Sequence, residues 1–216
     1  MSRNIDTHKK NQKMVQISLL CALLVVLQLL ATMLVKIGVV APTLALVPIV
    51  IAGAMFGIGG GAILGALFGI VCFLYGFFGL DAFTNLMLGY KPIETFTICM
   101  AKGILAGVFG ALIYKAVMKI SKNKVFPSAL ASAIICPVIN TVIYLFGMAI
   151  FFRDMTVNGE SYFGFEPSAS LFSVFGAMFL MVITNFILEV IVTAICSPIL
   201  AANLAKSKKF GKLFVR

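Results

Sequence analysis

The sequence predicts an all-α integral membrane protein: one domain of six transmembrane helices, with the N-terminus and the C-terminus both cytoplasmic. Three observations lead there. Of 216 residues, 62% are hydrophobic and 11% charged, where soluble domains carry about 25% charged residues. The uncharged residues form runs of 22 (Met14–Val35), 44 (Ile37–Leu80) and 28 (Val125–Phe152), and about 20 helical residues cross a bilayer core. The basic residues stand in short blocks between those runs. A soluble globular enzyme and a disordered tail are excluded.

Residues 1–13 are a polar N-tail, 14–205 the six-helix membrane domain and 206–216 the C-tail. Span 1 is Met14–Val35. The 44-residue run would measure about 66 Å as one helix, so it must cross twice. The break falls at the glycine run Gly57–Gly61, where a tight turn is open to the chain. That gives span 2 at Thr43–Phe56, short and expected to be tilted or kinked by Pro48, and span 3 at Gly61–Phe78. Span 4 is Ile93–Tyr114, interrupted by Lys102. Span 5 is Phe126–Phe152, with Pro137 inside it. Pro167–Ala205 has no turn signal before Pro198 and reads as one long helix.

Charge orients the bundle. The N-tail, the Lys115–Lys124 loop and the C-tail together hold 13 of the 17 Lys and Arg, and six spans place all three on one face. Five of the seven acids fall on the other face. Cytoplasmic segments carry the excess of Lys and Arg, so both tails are expected inside. The net charge of +10 is thereby a matter of topology, and no nucleic-acid partner is expected. The external segments are then Lys36–Pro42, Gly79–Pro92 and Arg153–Pro167. The two longer ones are rich in aromatic and charged residues, Tyr90 among them, as a surface that captures a solute would be.

Five cysteines lie inside apolar runs with no metal-ligand spacing and read as packing residues; no metal site is expected. Small residues recur every fourth position at Gly57, Gly61, Gly65 and Gly69, and at Gly103, Gly107 and Ala111. Such faces let helix backbones approach closely in lipid. Span 1 has a shorter version, Ser18 and Ala22, open to docking another membrane protein.

Two charges sit inside spans, Lys102 and Glu189. Each costs about 2.5 to 3.5 kcal/mol at a helix centre on insertion scales, so each should face a cavity or a partner. Thr95 shares a face with Lys102 in span 4. Asn185 lies one turn from Glu189 in span 6, and Asn140 one turn from Tyr144 in span 5. Polar groups converging between apolar walls make a small-molecule pocket, with Tyr90 in the external rim as a further contact. A structural Lys102–Glu189 ion pair accounts for the same residues. A lysine in the pocket suits a carboxylate or phosphate.

The stretches LALVPIVIAGAMFGIGGG from Leu44, PVINTVIY from Pro137 and NFILEV from Asn185 resemble the substrate-specific S component of energy-coupling factor (ECF) vitamin transporters. The resemblance implies a high-affinity binding subunit for uptake of a vitamin or vitamin precursor, with pantothenate first among candidates that include folate-like, riboflavin-like and pyridoxine-like ligands. It also implies an ECF transmembrane coupling protein and two cytoplasmic ATPases as partners in the cell membrane. The chain has no Gly-x-x-x-x-Gly-Lys-[Ser/Thr] phosphate loop, so ATP would be used by the partner subunits and no cofactor bound here. No residue is assigned a catalytic role. Two other readings stay open: a stand-alone secondary transporter of a small solute, using Glu189 as a proton site, and a non-transporting membrane assembly protein.

Overall fold

A computed structural model describes residues 2–34, 43–157, 160–161, 170–207, 211 and 214. Helix formation is dictated by the apolar runs, because backbone polar groups in lipid must be satisfied within the segment itself. The helices are α1 (Ser2–Leu34), α2 (Leu46–Phe77), α3 (Ala82–Tyr90), α4 (Pro92–Ile120), α5 (Val125–Phe151) and α6 (Leu171–Lys206). Between α5 and α6 lie two antiparallel two-residue strands, β1 (Thr156–Val157) and β2 (Glu160–Ser161). Five of the helices are long and apolar enough to cross a membrane.

The residues expected as spans 2 and 3 fall on the two arms of α2, which counts as one of those five helices. Gly57 takes φ 70° and ψ −157°, a conformation essentially reserved for glycine. The chain turns back there: Thr43 and Tyr75, 32 residues apart and about 48 Å apart along a straight helix, line one small cavity. The first arm, Leu46–Phe56, is buried along nearly its whole length. Its 11 residues reach only about 16 Å, which is why it does not count as a crossing helix by length.

α4 is the central element, packed on α2 and α5, with α6 against α5 and, less extensively, α2. Its fit to α2 depends on absent side chains. A Cβ built on Gly65 or Gly103 would overlap the other's carbonyl oxygen, and Gly61 and Gly107 are related in the same way. Helix backbones thus lie almost in contact along this seam. α1 packs chiefly on α2 and presents Val15, Leu19 and Val26 outward.

Three expected boundaries shift. The polar N-tail is helical from Ser2 and continuous with the first span. Gly79–Pro92, expected as a loop, holds helix α3, because Asp81 caps it: its carboxylate accepts from the Phe83 N–H at 3.3 Å and the Thr84 hydroxyl at 2.6 Å. The basic Lys115–Lys124 segment is mostly the end of α4, closed by a tight turn with Lys122 and Asn123 at positive φ. Pro167–Ala205 does form one long helix from Leu171. The Lys36–Pro42 segment and most of Arg153–Pro167 lie outside the described residues. All five cysteines are free, with Cys72, Cys99 and Cys136 buried.

Candidate functional site

Three helices and the start of α2 meet around a cavity of about 380 Å³, its open mouth included. From α4 comes Lys102, from α5 Asn140, Thr141 and Tyr144, and from α6 Asn185, Phe186 and Glu189. The i, i+4 spacing of Asn140 with Tyr144, and of Asn185 with Glu189, turns each pair to the same side of its helix. Thr43, just ahead of α2, completes the wall. Asn140, Asn185 and Glu189 are each 5–6% exposed, so they face the cavity rather than bulk solvent.

The charges do not form the ion pair that is the alternative reading of these residues. Glu189 Oε1 accepts the backbone N–H of Thr43 at 2.8 Å, and Lys102 pairs with neither Glu189 nor Asp81. The Lys102 ammonium lies instead against aromatic faces, 4.8 Å from the Tyr144 ring centroid and 5.5 Å from that of Phe68. Aromatic faces attract a cation without using up its N–H donors. Lys102 therefore keeps its hydrogen-bonding capacity for something else. Nearby, the Asn140 amide oxygen is buried with no hydrogen-bond partner, an acceptor that a water or a ligand donor would satisfy. The arrangement can bind an anionic oxygen at Lys102 and a donor group at Asn140.

Two expected contacts belong to a neighbouring structure. Tyr90 does not line the cavity; its hydroxyl donates to the Asp154 carbonyl at 3.0 Å. Thr95, fully buried, donates to the Lys91 carbonyl at 2.7 Å. Lys91 itself donates to the Phe151 carbonyl at 2.7 Å and pairs with Asp154 at 3.2 Å. Slight burial pushes the Asp154 carboxyl up, but the Lys91 hydrogen bond and the Lys91 and Arg153 charges hold it below its ordinary value. These contacts strap the α3–α4 junction to the end of α5. Beneath the strap, Met87, Met148, Met155 and Met178 pack with Phe83 and Phe152, and Tyr144 donates to the Met87 sulfur at 3.8 Å. Methionines re-pack readily, so this cluster is a deformable cover at one end of the cavity.

Thr43, Thr141 and Phe68 carry no sequence signal that marks them for this site. Thr43 contributes a backbone N–H, which any residue but proline would supply. On α1, Ser18 and Ala22 are both exposed and one turn apart, a narrow strip with little side chain.

A bundle of apolar helices around a polar, lysine-bearing cavity defines a membrane protein that handles a small solute. The chain belongs to the ECF transporter substrate-specific components, whose family model matches residues 12–201. Curated proteins and solved structures gave no match. The chain is therefore a multi-pass transporter subunit and not an enzyme, and its family implies association with ECF coupling and ATPase modules.

Proposed function

We propose that this chain is the high-affinity membrane subunit that binds an anionic vitamin or vitamin precursor, with pantothenate foremost, for uptake across the cell membrane. The observation that carries the reading is Lys102, a lysine inside the bundle held by two aromatic rings and paired with no nearby carboxylate. Burying a cation is costly, and an anionic ligand group would offset that cost when bound. Asn140, Tyr144, Asn185 and Thr43 supply the polar contacts around it, and Glu189 holds Thr43 in place.

The working assembly is this chain, an ECF transmembrane coupling protein and two cytoplasmic ATPases, with ATP consumed by the latter. The exposed Ser18 and Ala22 strip supports docking of the coupling protein through α1. Purified chain in proteoliposomes should accumulate no radiolabelled pantothenate. Accumulation should appear when coupling protein and ATPases are co-reconstituted with ATP. Ala22→Leu should cut both co-purification and uptake while leaving binding of pantothenate by the purified chain unchanged. Accumulation by the lone chain would instead favour a secondary transporter.

The reversal at Gly57 and the distribution of basic residues support six crossings with both termini cytoplasmic. A single cysteine replacing Lys122, in a background without the native cysteines, should resist an impermeant maleimide in intact cells and react after permeabilisation. Ready labelling from outside would overturn this topology.

A further inference from the structure

A second cavity, of about 350 Å³ with its opening, adjoins the first and shares Thr43 and Lys102 with it. Its other walls are Gln28 and Thr32 of α1, Tyr75 of α2 and the α3 cap Asp81. Most of its polar groups are already engaged. The Thr32 hydroxyl donates to the Gln28 backbone carbonyl at 2.9 Å, and the Asp81 carboxylate is used in capping α3. The Gln28 side chain is different: it is only 5% exposed and its amide oxygen has no hydrogen-bond partner. Around it, α1 turns Leu23, Val25, Val26, Leu29 and Leu30 to its surroundings, so a glutamine set inward opposite Lys102 is a costly choice for packing alone.

We infer that the ligand extends from Lys102 into this second cavity, with its anionic group on Lys102 and a neutral hydroxyl or amide N–H at its far end donated to Gln28 Oε1. The substrate class is then an elongated anion with a remote hydrogen-bond donor. The inference rests on the proposed binding role of the Lys102 cavity. It makes α1 part of the binding site as well as the partner-facing helix.

Calorimetry on the purified full chain tests this with four probes: pantothenate and folate, which are elongated anions, and riboflavin and pyridoxine, which are neutral. Pantothenate or folate should bind the unsubstituted protein. Gln28→Leu should then lower that affinity about tenfold, the loss of one hydrogen bond from a desolvated site. The same substitution removes an unmet buried acceptor, so the ligand-free melting temperature should hold or rise. Gln28→Met, unbranched like glutamine, serves if the leucine variant does not fold. Unchanged affinity in the Gln28 variants overturns the extension and leaves Lys102 binding intact, provided Lys102→Met still weakens it. Binding of the neutral probes alone overturns the anion class while a binding subunit stands. Failure of both pantothenate and folate to bind overturns the elongated-anion class and this inference with it, while the family's substrate-binding role stands.

Discussion

Lys102→Met should weaken binding of pantothenate by roughly ten- to a hundredfold, because hydrogen bonds to charged groups contribute about 1.5 to 3 kcal/mol and each 1.4 kcal/mol is about tenfold. Methionine keeps the unbranched stem between the Phe68 and Tyr144 rings and removes only the charge and its donors. The fold should therefore persist, and melting temperature checks it. Glu189→Gln should change affinity far less, since the glutamine oxygen still accepts the Thr43 N–H. Glu189→Leu strands that buried N–H and should lower stability. Equal affinity in well-folded Lys102→Met would take the lysine out of the site.

Gly103→Ala should be among the most damaging single-methyl additions in the chain. The new Cβ would overlap the Gly65 carbonyl oxygen, and what blocks it is backbone, not the end of a flexible side chain. Overpacking of this kind costs about 1 to 3 kcal/mol, and about 2 to 4 °C in melting temperature accompanies each kcal/mol in a chain of this size. Lys102 stands one residue from Gly103, so separation of α4 from α2 should also loosen the cavity. Gly59→Ala is the control: its Cβ meets nothing within 4 Å, and alanine is the better helix former. The melting temperature of Gly103→Ala in detergent should fall clearly below that of Gly59→Ala. The reverse order would show that the α2–α4 seam is not the tight contact it resembles.

Much of the architecture is written in the chain as length and periodicity. Runs of apolar residues fix where helices lie, and the glycine run marks where α2 turns back. The polar pairs Asn140–Tyr144 and Asn185–Glu189 are legible because helical spacing is regular and their neighbours are apolar. What is not legible depends on contacts between distant segments. Opposite charges at similar depth suggest that Lys102 and Glu189 meet; in the folded chain a backbone N–H from Thr43 takes the carboxylate instead. Thr95 shares a helix face with Lys102 seven residues on, yet its hydroxyl is satisfied one turn back at Lys91. Tyr90 looks like a rim aromatic awaiting a solute until the end of α5 arrives beside it with the Asp154 carbonyl. Helix α3 is hidden because nine residues are too few to show a period, and only the Asp81 cap announces it.

The short first arm of α2 has a consequence for how the protein is made. With 11 residues and a reach of about 16 Å, Leu46–Phe56 is too short to be retained by a bilayer when it leaves the ribosome. In the six-crossing topology proposed above, it would enter the membrane together with the residues beyond Gly57, as a helical hairpin whose tip is that glycine. Thr43 rides in with the hairpin early in synthesis, while Glu189 is delivered by the final helix. The bond between them joins positions 146 residues apart. Until the last helix is in place, the Thr43 N–H has no carboxylate to receive it, so the cavity is finished only when translation of the membrane domain is nearly complete.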